Sequence, residues 1–101
     1  MVHPIKVLIA DDHAAVREAV RVSLETENDM QVVGEASNGI GALKYVRENC
    51  PDVIIMDYSM PGMNGVEAAR LIRQEFPQIG VVFLLLSVIC VRIPTFGNKE
   101  F

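Results

Sequence analysis

Three aspartates stand where apolar runs end. Asp11 and Asp12 close "IKVLIADD", and Asp57 closes "DVIIMD". If those runs are neighbouring strands, the three carboxylates share one rim, where mutual repulsion raises at least one pKa or recruits a cation. A hard divalent ion is the simplest remedy. Mg2+ takes oxygen ligands at about 2.0–2.1 Å in an octahedron, usually one or two carboxylates with water, a carbonyl or phosphate completing the set. Asp12, Asp57 and the backbone carbonyl of Ser59 would supply three positions, with Asp11 acting through water and one edge left for a phosphoryl oxygen. Any one of these aspartates alone is more often a helix cap or a turn former. The pair and the third together, all at strand ends, favour the metal. The "MPGMNG" that follows Asp57 and Tyr58-Ser59 is turn chemistry, and it sets the direction of the Asp57 side chain.

The elements that must position these residues alternate. "IKVLIADD" reads as a strand buried on both faces. Ala15 to Glu25 follows as a helix with Val16, Ala19, Val20 and Leu24 inward and Arg17, Glu18, Arg21 and Glu25 in water. "MQVVGEA" is a second strand, and Ser37 or Asn38 caps a second helix, "IGALKYVREN", with Ile40, Leu43 and Val46 on one face. "DVIIMD" is the third strand. "NGVEAARLIRQEF" is a third helix with Val66, Ala69, Ile72 and Phe76 inward, and "VVFLLL" is the fourth strand. Such alternation predicts an α/β fold, a doubly wound parallel sheet with helices on both sides, and ligands outside the carboxyl ends of its strands.

The bulk numbers narrow the classes. A chain of 101 residues, 50% hydrophobic, builds one domain around one core. A formal charge of -4 argues against a surface that binds nucleic acid or anionic lipid by bulk electrostatics. Cys50 and Cys90 have neither zinc-ligand nor disulfide-framework spacing, which fits a reduced, cytoplasmic compartment. No secretory signal is recognisable at the start. "VVFLLLSVICV", Val81 to Val91, falls well short of the roughly 20 residues that cross a bilayer, and reads as buried strand. "SNGIG" has neither dinucleotide nor P-loop spacing. His13 follows the acidic pair and could join a metal shell, but with no correctly spaced second histidine it reads as the start of the first helix.

"VLIADDH", "VVGEASNG", "PDVIIMDYSMPGMNGVEAARLIR" and "VVFL" together resemble the receiver domain of two-component response regulators, in the NarL/FixJ branch that carries a LuxR-type output domain. The likeness runs from about Ile5 to about Leu84, within a receiver domain taken as 1–101 with no output domain present. It implies a flavodoxin-like fold and a signalling module rather than an enzyme. Asp57 matches the phosphoacceptor, which takes a phosphoryl group from a sensor histidine kinase or phosphotransfer protein. Asp11 and Asp12 match the acidic pair that holds Mg2+, and Ser59 the residue whose carbonyl completes the site. The first helix around Ala14, Ala15 and Val16 borders the acidic site and is the expected partner surface. No direct nucleic-acid binding and no membrane association are implied for this chain.

After Leu84 the chain reads as truncated or aberrant. The family's Ser or Thr at the end of the fourth strand is replaced by Leu85, with Ser87 two positions later; the later switch aromatic and lysine have only Phe96, Phe101 and Lys99 as weak stand-ins. Loss of the usual fifth strand would leave the fourth as a bare apolar edge that pairs with a second copy in a homodimer, unless the segment folds back or forms a substitute helix. Two other readings remain open. One is a degenerate interaction module that is never phosphorylated. The other is a haloacid-dehalogenase-like phosphatase, which expects an Asp where Ser59 stands.

Overall fold

Strand and helix alternate as the apolar pattern requires. In the computed structural model, which describes residues 3–84 and, as backbone, 90–93, the order is β1 (Ile5–Ala10), α1 (Ala14–Glu25), β2 (Met30–Ala36), α2 (Gly39–Asn49), β3 (Val53–Asp57), α3 (Gly65–Glu75), β4 (Gly80–Leu84) and β5 (Cys90–Ile93). The sheet order is β2-β1-β3-β4-β5. The first four strands are mutually parallel, the doubly wound, flavodoxin-like arrangement expected from sequence.

Alternate residues of the central strands feed two faces. Leu8, Ala10, Ile54, Met56, Val81 and Phe83 form one core with Ala42, Leu43 and Val46 of α2 and Ala68, Ala69 and Ile72 of α3. A side chain such as Ile54, fully buried there, stabilises the fold by about 1.5–3 kcal/mol. Val7 and Ile9 point to the opposite face, where α1 lies, and are equally buried. β1 is buried on both faces over Val7–Ala10, and β3 is buried at Ile54 and Met56 with Val53 and Ile55 half-buried opposite, which fixes their register and the height at which the aspartates at their ends emerge.

The helices sit slightly differently from the expected phases. Asn38 caps α2, its Oδ1 accepting from the Gly41 amide at 2.7 Å, and Gly39, Ala42, Leu43 and Val46 form the buried stripe. Ile40 lies off that stripe and is 64% exposed. In α3 the stripe is Gly65, Ala68, Ala69 and Ile72, which turns Val66 outward while Phe76 packs against the core. Small residues decided both phases, because Gly and Ala let a helix approach the sheet where Ile or Val would hold it off. No side chain of α1 is buried, and Val16 and Ala19, expected inward, are exposed.

Of the alternatives left open for the end of the sheet, the last strand takes the fold-back and not the bare edge. β5 pairs antiparallel with β4, Val81 opposite Ile93 and Leu84 opposite Cys90, so the edge expected to recruit a second copy is covered from within the chain. Residues 85–89 are far too few for a parallel crossover, which needs about a dozen or more, and an antiparallel return is what so short a connection permits. Leu85, Ser87, Phe96, Lys99 and Phe101 lie outside the described residues.

Candidate functional site

β1 and β3 are neighbours in register, Ala10 opposite Met56, so the residues that follow each strand emerge side by side. The Asp11 amide donates to the Ala36 carbonyl at 3.0 Å and the Tyr58 amide to the Leu84 carbonyl at 3.0 Å, extending the ladder one step past each strand end. Asp11, Asp12 and Asp57 are thereby brought together, as the sequence leads one to expect. One ligand atom from each, with one from His13, can be chosen so that all lie within 4.8 Å of one another. Asp12 and Asp57 open on a cleft of about 630 Å3, lined further by His13, Tyr58, Ser59, Met60 and Pro61.

The three carboxylates differ in how they are held. Asp11 is 3% exposed, and its Oδ1 accepts from the His13 amide at 2.7 Å and lies 3.1 Å from the His13 ring. Asp57 Oδ1 accepts from the Ser59 amide at 3.2 Å. Asp12 Oδ1 is buried without a hydrogen-bond partner, although His13 Nδ1 stands 3.2 Å away at ion-pair distance. Burial pushes the Asp57 carboxyl above the ordinary 3.8; the Ser59 amide opposes this, and the negative neighbours Asp11 and Asp12 add to it.

These residues fit a hard divalent cation. The three aspartates offer oxygen donors, one buried carboxylate oxygen lacks a partner, and ligand atoms of the aspartates and His13 can be chosen within 4.8 Å of one another, a span that would draw in slightly to the about 4.1 Å across an octahedral shell. Asp11, Asp12 and Asp57 are the side chains that would hold such an ion. Ser59 lines the cleft beside them.

The turn after Asp57 has a steric requirement. Gly65 opens α3 directly beneath Asp57, and a Cβ at that position would collide with the Asp57 carbonyl oxygen. Gly62 carries the left-handed backbone of the loop, φ 77°, which a glycine adopts at no steric cost. Asn64 then caps α3, its Oδ1 accepting from the Glu67 amide at 2.9 Å.

Two features of the site go beyond the reading preferred from sequence. His13, read as the helix start, is indeed the N-cap of α1, but its ring leans over Asp11 and Asp12 instead of capping the helix. Arg17, expected in water, donates from Nη1 to the Asp11 carbonyl at 2.7 Å. The adjacency of His13 to the acidic pair was a usable signal; Arg17 offered none.

The raised Asp57 pKa has a measurable consequence in metal-free protein. Between the ordinary 3.8 and the raised folded value, the native state holds more protons than the unfolded chain, so this group makes stability fall as pH rises through that window. Glu35, held down chiefly by Arg21 and then Arg17, and Glu75, held down by Arg47, act in the opposite sense. The comparison is therefore between thermal melts of wild type and Asp57→Asn across acid to neutral pH. The variant is expected to gain relative stability as pH rises; parallel curves would show that Asp57 is not strained by its surroundings.

Residues 7–87 match the family model described as the response regulator receiver domain. Among curated proteins, YhcZ of Bacillus subtilis, an uncharacterized transcriptional regulatory protein, is 43% identical over 78% of this chain and 37% of its own length. The response regulator UvrY of Escherichia coli is 45% identical over 79% of this chain and 37% of its own length. The chain thus spans well under half of these relatives. Among solved structures, the receiver domain of the NarL response regulator of Mycobacterium tuberculosis superposes with a TM-score of 0.78 at 35% identity, covering 82% of this chain and 67% of that one.

Proposed function

The chain belongs to the response regulator receiver domain family, and from that premise we propose that it accepts a phosphoryl group on Asp57, from a histidine kinase or a phosphotransfer protein, with Mg2+ held by Asp11, Asp12, Asp57 and the Ser59 carbonyl. The observation that carries this reading is the meeting of three carboxylates, one with an unpartnered buried oxygen, beside a cleft at the carboxyl ends of the strands.

In the transfer, an Asp57 carboxylate oxygen forms a bond to phosphorus while the bond from phosphorus to the donor's imidazole nitrogen breaks, and the imidazole leaves with the electron pair. Bound Mg2+ supplies neutralisation of charge on the phosphoryl oxygens, the main demand of such a reaction. The chain's own part is placement. The β3 register fixes the Asp57 backbone, and the Ser59 amide engages Oδ1 and so orients the carboxylate. Ala14, Ala15 and Val16 at the start of α1 are exposed beside the acidic rim and offer the small, apolar surface on which a donor protein would seat. Since YhcZ bears the name of a transcriptional regulator, control of a DNA-binding output is the role extended to this chain.

The test is incubation of the whole chain with acetyl phosphate and Mg2+, followed by intact-mass measurement. A mass gain of one phosphoryl group, abolished by EDTA, is expected. No gain under either condition would leave the degenerate interaction module as the better reading.

A further inference from the structure

We propose that Arg17 is a positioning residue for the acidic site, clamping the peptide that joins Asp11 to Asp12 and so fixing the relative direction of the two carboxylates; this rests on the Mg2+ reading above. The Asp11 carbonyl belongs to that peptide, and Arg17 Nη1 donates to it at 2.7 Å in a partly buried setting. The guanidinium is itself held, its Nε donating to Glu35 Oε1 at 2.9 Å. Glu35 sits on β2 opposite Ile9 of β1, two residues before Asp11, and its second oxygen accepts from Arg21. The clamp therefore runs from β2 through Glu35 and Arg17 to the residue that follows β1. A planar fork is required, because it can serve a carboxylate and a carbonyl in fixed directions at once; an ammonium group cannot.

A peptide plane free to rotate would swing Asp12 relative to Asp11, and small misplacements of this kind cost metal affinity about 10- to 100-fold in well-studied sites. Arg21 supplies an internal control. It shares Glu35 and tethers α1 to β2 in the same way, yet no contact takes it to the Asp11–Asp12 peptide. A role confined to holding α1 on the sheet would make Arg17 and Arg21 equivalent. Charge alone predicts the opposite sign, since removing a cation near three carboxylates strengthens binding of another.

The experiment is calorimetric titration of Mg2+ into wild type, Arg17→Met, Arg17→Lys and Arg21→Met, with circular dichroism to verify folding. Arg17→Met is expected to bind about five- to tenfold more weakly, Arg17→Lys at least about threefold more weakly despite its retained charge, and Arg21→Met within about twofold of wild type. Should Arg17→Met fail to fold, Arg17→Lys carries the test. Binding by the Arg17 variants as tight as wild type or tighter, or an equal loss in Arg21→Met, would overturn the clamp while leaving the metal site standing. Absence of Mg2+ binding by wild type would remove both.

Discussion

Asp57→Asn is expected to lower phosphoryl uptake from acetyl phosphate by at least about a thousandfold, because an amide has no carboxylate oxygen to attack phosphorus. The loss will not be a folding defect. Asparagine keeps the shape of the side chain and can still accept from the Ser59 amide, while removing a charge that burial and two acidic neighbours disfavour. Metal-free Asp57→Asn should therefore melt no lower than wild type at neutral pH. Asp11 and Asp12 are poor substitutes as acceptors. Asp11 is 3% exposed and engaged by His13, and Asp12 lines the cleft with its Oδ1 buried and 3.2 Å from the His13 ring. Uptake by the variant at a rate near that of wild type would mean that another group receives the phosphoryl.

Asp12→Asn should weaken Mg2+ binding by on the order of 100-fold and remove most Mg2+-dependent phosphorylation at ordinary concentrations of the ion. Two effects compete. Removing one negative charge relieves Asp57, whose raised pKa is partly due to Asp12, and so favours the ionised nucleophile. The same substitution takes the negative charge, and one of two oxygen ligands, from the carboxylate whose buried oxygen has no hydrogen-bond partner. A unit charge about 4 Å from a dication contributes several kcal/mol even at an effective dielectric near 20, whereas a carboxylate above its pKa gains little by being ionised further. Loss of the ion wins. The check is a Mg2+ titration by calorimetry alongside the initial rate of labelling; unchanged affinity would take Asp12 out of the metal shell.

The site was legible because its signal is binary: uniformly apolar runs ending abruptly in acids, within a fold class that binds at strand ends. Asp11, Asp12 and Asp57 needed only the neighbour relation of β1 and β3, which the parallel order supplies. Helix phase was harder. Ile40 and Val66 match an apolar spacing as well as the true stripes do, and the choice between them rests on close approaches that only glycine permits, Gly39 against Met63 and Ala68 and Gly65 against the Asp57 carbonyl. The direction of β5 followed from connection length, which sequence leaves open until the strand ends are known. Arg17 could not be read at all. Its partner is a backbone carbonyl on another element, and carbonyls carry no residue-type signature.

The most direct measurement is to locate the phosphoryl group. Wild type is labelled with acetyl phosphate in the presence of Mg2+, the acyl phosphate is reduced with borohydride to homoserine, and the changed residue is found by tandem mass spectrometry. Homoserine in place of Asp57 alone, and only when Mg2+ was present, is the predicted result. Conversion at Asp11 or Asp12, labelling that ignores Mg2+, or no conversion at any aspartate would contradict the assignment of this rim as a magnesium-dependent phosphoacceptor site.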